Sequence, residues 1–109
     1  WEIPITTFKV FSFDFGTGGA YFRILPYRKF SGGLRKINKK QSFVFYVHPW
    51  ELDKDHPNLS FLSARRRLPH YWNLRKTEHR LKRLIQEFPF CPLVDLINDK
   101  VKNTSNEVK

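Results

Sequence analysis

An unbroken run of apolar, β-favouring residues covers positions 43–47. Because no polar residue alternates with them, the run predicts a strand that is covered on both faces, as the parallel strands of α/β proteins are. His48 follows at the carboxyl end of this predicted strand, and Pro49 holds His48 extended and stops the strand from continuing. In α/β barrels and open α/β sheets that end carries the catalytic groups, so His48 is the first candidate for chemistry.

Two other stretches have the spacing of amphipathic helices. The first spans about residues 26–39, starts at Pro26, and repeats apolar residues at Tyr27, Phe30, Leu34 and Ile37. Gly32 and Gly33 weaken it by roughly 1 kcal/mol each relative to alanine, which predicts a kink or close packing there. The second helix can be capped by Asn73 and ends at Pro89. The apolar face of this helix carries Leu74, Leu81, Leu84, Ile85 and Phe88. The first helix followed by the run at 43–47 predicts an αβ unit of a parallel sheet.

The rest of the chain reads as short strands and connections. Partial alternation over residues 3–15 predicts one or two short strands, and the glycine-rich stretch 16–19 predicts a turn or a close approach of the backbone to another element. Residues 52–68 form a long connection. Residues 90–94 read as a last short strand or edge segment, and residues 100–109 as a frayed polar tail.

Composition adds a bound on size and a pattern of charge. The 109 residues suffice for one domain, contain no methionine and start at Trp1, from which we expect a processed product or, better, an excised piece of a longer protein. The formal charge of +10 is concentrated in residues 23–40 and 65–83, each +7, while the remainder is −4. This favours an anionic partner such as a phosphorylated glycan, nucleic acid or lipid headgroup, or else two helices with solvated basic faces. The lone Cys91 excludes an intrachain disulfide, and no apolar run approaches the roughly 20 residues of a membrane span.

The candidate chemistry centres on one histidine. His48 can act as a general acid or base near neutral pH, with Glu51 and Asp53 close by in sequence, or it can be a buried histidine with a structural hydrogen bond. The sequence offers no pair of histidines at i, i+4 spacing and no group of three close ligands for a metal ion. No serine sits on the glycine-flanked turn that a serine hydrolase needs.

Several segments in their order along the chain resemble one family. They are W-E-I-P at 1–4, G-G-A-Y-F-R-I-L-P-Y at 18–27, F-Y-V-H-P-W-E-L-D at 45–53, H-Y-W-N-L at 70–74 and T-E-H-R-L at 77–81. Together they resemble the C-terminal part of polysaccharide deacetylases of the NodB-homology, carbohydrate esterase type, in the subgroup associated with exopolysaccharide loci. The resemblance covers about residues 1–94, with 95–109 left as a polar tail.

This resemblance implies a fold, a site and a reaction. The fold would be α/β, the C-terminal portion of a distorted (β/α) barrel with an appended helix and short strands. The reaction would be hydrolysis of N-acetyl groups on sugar polymers, with a divalent metal, zinc or similar, bound in the complete enzyme but not by this chain. The metal ligands of the family lie in Thr-Phe-Asp-Asp and His-x-x-x-His motifs, neither of which occurs here. What does match is a late motif, a hydrophobic strand ending in the general-acid histidine, which falls on His48.

The family resemblance assigns a role to His48 alone, and further substrate-binding residues and partners are expected beside it. Trp50, Glu51, Tyr21 and Arg23 would bind substrate. The partners would be the polysaccharide and the missing N-terminal part of the deacetylase, with nucleic acid disfavoured and no membrane span, in the bacterial cytoplasm or cell envelope. The chain alone would be inactive. The alternative is a non-catalytic basic, aromatic-rich module that binds an anionic polymer, either a glycan or a nucleic acid.

Overall fold

A computed structural model describes residues 2–107 of the chain. These residues form a mixed α/β structure that is about 55% helical and contains a two-stranded sheet. The strands are β1 (Thr7–Val10) and β2 (Phe13–Gly16). The helices are α1 (Gly19–Ile24), α2 (Tyr27–Asn38), α3 (Ala64–Tyr71), α4 (Thr77–Glu87) and α5 (Leu93–Glu107), with 3₁₀ turns at Pro49–Leu52 and Leu74–Lys76. None of the described helices is long and apolar enough to cross a membrane.

The core lies where the hairpin, the first two helices and α4 meet. β1 and β2 pair antiparallel with Phe8 opposite Phe15, so both rings face the same side of the hairpin. Phe30 of α2 is fully buried and packs edge-to-face on Phe8, with ring centroids 5.6 Å apart. The buried cluster consists of Phe8, Phe22, Leu25, Tyr27, Phe30, Leu34, Leu84 and Phe88. Aromatic rings therefore supply most of the volume that holds the described elements together.

Both predicted helices are confirmed. The first is α2, whose buried residues include Tyr27, Phe30 and Leu34, as the apolar spacing requires. The second begins as the 3₁₀ turn at Leu74 and continues as α4, which ends before Pro89. Asn73 precedes this helix but does not cap it with its side chain; its backbone is left-handed (φ 53°), a conformation that asparagine tolerates better than most residues. The prediction of one or two short strands in residues 3–15 is confirmed, with two strands that form the hairpin.

The predicted strand at 43–47 is wrong. These residues belong to no strand, and among them only Tyr46 forms an isolated parallel bridge, with Gly18. Their apolarity has another cause, because Phe43 and Phe45 pack against the aromatic core, Phe45 lying 5.1 Å from Phe22 between ring centroids. The glycine-rich stretch was interpreted correctly as a close approach. A Cβ on Gly18 would lie 2.1 Å from the backbone oxygen of Tyr46.

The predicted strand or edge segment at 90–94 is also wrong, because none of its residues belongs to a strand, and so is the frayed tail at 100–109 as far as residue 107. Residues 93–107 form helix α5, and residues 108–109 lie outside the described residues. Pro92 suits a helix start, and its carbonyl accepts the backbone N–H of Asp95. The division of the chain at residue 94 stays a prediction, and that boundary falls inside the first turn of α5.

Candidate functional site

The candidate site forms around His48, whose extended backbone (φ −89°, ψ 145°) leads into the 3₁₀ turn Pro49–Leu52. The imidazole is 56% exposed, and its Nδ1 atom lies 3.0 Å from Oε2 of Glu51. The same carboxylate oxygen accepts the backbone N–H of His48 at 2.8 Å. Because Glu51 follows His48 by three residues and lies in a 3₁₀ turn, its side chain folds back over the start of that turn. The imidazole is thus oriented through Nδ1, and Nε2 is left for chemistry.

Glu51 is itself held by Arg23 of α1. Both side chains are 1% exposed, and Arg23 Nε donates to Glu51 Oε1 at 2.9 Å. Arg23 Nη1 donates to the backbone oxygens of Pro69, His70 and Trp72, at 3.1, 2.7 and 3.1 Å. A buried ion pair is tolerated when its remaining donors are satisfied in this way. The pair therefore joins α1, the 3₁₀ turn after His48 and the end of α3 at one point.

The charge of Glu51 follows from these contacts. Burial alone would raise the pKa of its carboxyl group, but the backbone and ring N–H groups of His48 and the guanidinium of Arg23 outweigh burial and hold the pKa below its ordinary value of 4.5. Glu51 is consequently an ionised carboxylate at neutral pH. An ionised acceptor 3.0 Å from Nδ1 fixes the tautomer of the neutral imidazole, with the proton on Nδ1.

An aromatic stack lies beside His48. Trp50 stacks on His70, with ring centroids 4.2 Å apart and planes 10° from parallel, and the guanidinium carbon of Arg23 lies 5.1 Å from the indole centroid. His70 Nε2 is 3.2 Å from Nε2 of His56. Burial, together with the nearby His56 and Arg23, lowers the pKa of His70 from its ordinary 6.5. The ring nitrogens of His70 and His56 are close enough to share one hydrogen bond.

A cavity of about 700 Å³ is lined in part by His56 and Tyr71. Its walls combine an exposed aromatic ring, Trp72, with amide and guanidinium groups. Flat aromatic faces next to such hydrogen-bonding groups suit a sugar ring, which has an apolar face and hydroxyl groups at its edge. The lining residues are His56, Asn58, Ala64, Arg67, Leu68, Tyr71, Trp72 and Asn73.

Four of the five predicted site residues come together in space. His48, Trp50, Glu51 and Arg23 form one connected group, although Arg23 precedes Glu51 by 28 positions. Tyr21 does not join them. It lies on another side of the short helix α1, where its ring packs against Phe15 at 5.4 Å between centroids.

The sequence interpretation missed the residues that brace this group. Arg80 of α4 donates to the backbone oxygens of Phe22, Arg23 and Leu25, at 2.8, 3.2 and 3.0 Å, and so holds the C-terminal end of α1. Asn73 Nδ2 donates to the same oxygen of Arg23 at 2.9 Å. The segments at 70–74 and 77–81 that carry the family resemblance contain Asn73 and Arg80, but none of these four hydrogen bonds follows from the spacing of residues along the chain.

The residues present do not fit a metal centre. Within the part of the chain that the structure describes, no group of three or more His, Cys, Asp or Glu side chains is placed to hold a metal ion. His56 and His70 supply only two ligand nitrogens, one from each ring. The positively charged Arg23 lies close to the Trp50 ring on which His70 stacks. A divalent metal thus has no ligand set among the described residues.

The comparisons with known proteins give one family. A family model described as a domain of unknown function, DUF3473, matches residues 1–98. Comparison with curated proteins finds no match, and comparison with solved structures finds none either.

Proposed function

Because the chain belongs to the DUF3473 family, which is associated with polysaccharide deacetylases, we propose that it is the C-terminal segment of a metal-dependent polysaccharide deacetylase. Within this proposal it belongs to the exopolysaccharide-locus subgroup and supplies the general acid for hydrolysis of N-acetyl groups. The observation that carries the proposal is an exposed imidazole, His48, held through Nδ1 by a buried and ionised carboxylate, Glu51. A general acid needs this combination of solvent access and fixed orientation.

In the proposed reaction His48 acts at the departure of the amine. When the bond between the acyl carbon and the nitrogen breaks, the protonated imidazole gives its Nε2 proton to that nitrogen. Glu51 keeps its hydrogen bond to Nδ1 throughout, so the ring does not rotate as the proton leaves. Arg23 balances the buried charge of Glu51 and prevents it from taking up the proton itself.

Direct substrate contact is proposed for Trp50, which is partly exposed, and for Tyr21, which is exposed but lies outside this group. Trp50 presents part of its indole beside His48, with ring centroids 6.2 Å apart, and Tyr21 would contact the polymer at a separate place. Arg23 and Glu51 are each 1% exposed. Their burial favours a positioning role over the substrate contact expected from the sequence, and in this proposal they hold His48.

The rest of the enzyme would come from elsewhere in the complete protein. The deacetylases that this chain resembles use a divalent metal, zinc or similar, and fold as a distorted (β/α) barrel. The ligands would lie outside the described residues. The described elements would then form one flank of the barrel, with the polysaccharide and the N-terminal part as partners.

The general-acid role is tested by changing His48 in the complete deacetylase. His48→Ala should lower the catalytic rate on an N-acetylated oligosaccharide by about 10²–10⁴-fold, the usual contribution of a positioned general acid. The same variant should lose far less activity on p-nitrophenyl acetate. The p-nitrophenolate leaving group departs without needing a proton, so a missing acid costs little there.

The control is His79→Ala, which removes an exposed histidine on α4 and should leave both activities unchanged. Equal losses on both substrates with His48→Ala would contradict acid catalysis and indicate a damaged site. Full activity on the oligosaccharide would remove the catalytic role and favour the alternative, a basic module that binds an anionic polymer.

A further inference from the structure

The tip of the β1–β2 hairpin carries two aromatic side chains into solvent. The strands are joined by the two residues Phe11 and Ser12, and the flanking pair is Val10 opposite Phe13. Phe11 is 87% exposed and Phe13 is 70% exposed. The hairpin thus leaves two large apolar rings without cover at its end, while Phe8 and Phe15 at its base join or pack against the core.

Phe11 also has an unfavourable backbone conformation. Its φ angle is 56°, in the left-handed region that suits glycine and is strained for a bulky residue. No buried contact offsets this strain, because the ring is exposed and the Nζ atom of Lys29 lies 5.2 Å from its centroid. A glycine would make the turn more easily. A phenylalanine at this position contributes nothing to the core and is available for contact with another surface.

Cations surround this aromatic tip. A groove of about 330 Å³ between the hairpin and α2 is lined by Phe11 together with Lys9, Arg28, Lys29 and Lys36. A second groove of about 600 Å³ continues along α2 toward its end, with Lys39 and Lys40. Among the described residues, none of these six cations forms an ion pair with a carboxylate, and Asp14, across from Lys9 in the hairpin, is the only acid between residues 3 and 50.

We propose that this surface, the hairpin tip with Phe11 and Phe13 and the six neighbouring cations, docks on an anionic lipid bilayer. The two rings would enter the boundary between headgroups and acyl chains, and the ammonium groups would lie against the phosphates. This inference is independent of the proposed catalytic role, since the surface includes no residue of the His48 site.

The chemistry of the surface favours a bilayer over a glycan or a nucleic acid. The phenylalanines project from a hairpin tip and carry no hydrogen-bonding atom with which to recognise a sugar hydroxyl or a base edge. Five of the six cations are lysines, which act as point charges and lack the bidentate fork with which arginine recognises individual phosphates. Diffuse attraction to many headgroups needs only point charges.

The first test is flotation of the full chain with phosphatidylcholine vesicles that contain or lack phosphatidylglycerol. The chain should bind the anionic vesicles, and added salt should weaken the binding. Phe11→Gly should reduce the partition coefficient by about tenfold or more, because it removes a buried aromatic ring from the bilayer. The same change should leave the melting temperature unchanged or raise it, because glycine suits the positive φ angle. Lost binding therefore cannot be attributed to lost folding.

The second test separates this surface from the overall positive charge. Lys29→Gln combined with Lys36→Gln should weaken binding by about fivefold for each charge removed. Arg75→Gln combined with Lys76→Gln, which removes the same charge from the exposed surface near α4, should change binding much less, as should Phe61→Ser at an aromatic residue that is 80% exposed elsewhere. Equal effects of both charge pairs, or unchanged binding of Phe11→Gly, would overturn the proposal. Tighter binding to heparin or duplex DNA than to the vesicles at equal salt would overturn it in favour of a polyanion site.

Discussion

Burial makes Arg23 and Glu51 depend on each other. Arg23→Met should destabilise the fold by about 3–5 kcal/mol in urea unfolding, because it leaves the Glu51 carboxylate buried without its counter-charge. It also leaves three backbone oxygens, those of Pro69, His70 and Trp72, without their donor. The loss is expected even though the methionine side chain is close in length and apolar.

Arg35→Met is the matched control for this prediction. Arg35 also pairs with a glutamate, Glu87, at 2.9 Å, but its own side chain is 59% exposed. An exposed pair of this kind contributes about 1 kcal/mol or less, so the control should unfold at nearly the wild-type urea concentration. Similar losses of unfolding free energy in both variants would show that the buried Arg23 pair contributes no more to stability than the exposed Arg35 pair.

At the same scale, the sequence identified His48 as a candidate but did not predict the linked side chains that orient its ring. His48 and Glu51 are three residues apart, and a short turn is enough to bring them together. The link from Glu51 to Arg23 spans 28 residues, and the link from Arg23 to the end of α3 spans nearly 50. Such contacts depend on how the elements pack. No local pattern of residue types contains that information.

At the scale of elements, helices α2 and α4 were predicted correctly and the strand at 43–47 was not, for a physical reason. The hydrogen bonds of α2 and α4 lie within each helix, so apolar spacing and the flanking prolines are sufficient to define them. A strand needs a neighbour, and residues 43–47 find only the bridge between Tyr46 and Gly18. The same apolar run covers the core instead. Sequence alone does not distinguish such a covering segment from a buried strand.

Adjacent glycines of α2 have different roles and should respond differently to the same substitution. A Cβ on Gly32 would meet nothing within 4 Å, whereas a Cβ on Gly33 would lie 2.4 Å from Cδ2 of the buried Phe8 ring. Gly32→Ala should therefore stabilise the protein by about 0.5–1 kcal/mol through helix propensity. Gly33→Ala should destabilise it by about 1–3 kcal/mol, because the hairpin must move off the helix.

Urea unfolding of the two variants side by side tests this difference. The unfolded states of Gly32→Ala and Gly33→Ala have the same composition, so the difference between the two midpoints reports packing in the folded state. If both substitutions stabilised the protein equally, the close packing of β1 on α2 would be incorrect.

At the scale of the whole molecule, stability depends on the aromatic core and on a polar junction, formed by Arg23, Glu51 and the backbone oxygens to which Arg23 donates. The Cα radius of gyration is 16.6 Å, above the about 13 Å of a compact domain of this length. Within the described chain, α3 and α5 contribute no residue to the buried core. With so much of the chain outside the core, a change of a few kcal/mol at the junction is a large fraction of the total stability.

Acid should weaken the whole fold in two pH windows, one that starts near pH 6.5 and one that starts near pH 4.5. Both His70 and Glu51 have a pKa below the ordinary value in the folded chain, so each binds a proton more readily after unfolding, and the free energy of unfolding falls as pH falls. The contribution of His70 is complete above its ordinary pKa of 6.5 and is lost as pH falls from there through the folded value. The contribution of Glu51 is complete above 4.5 and is lost below it in the same way.

Two variants, each the control for the other, separate these windows. His70→Phe keeps an aromatic ring for stacking on Trp50 but cannot titrate, so it should flatten only the higher window of a plot of urea midpoint against pH. Glu51→Gln should lower the midpoint at neutral pH and flatten only the lower window, because the amide cannot be protonated in that range. If the His70 variant kept the slope just below pH 6.5, the titrating group there would be another one. If the Glu51 variant kept the slope below pH 4.5, the carboxylate that Arg23 and His48 hold would not be the group through which acid unfolds the protein.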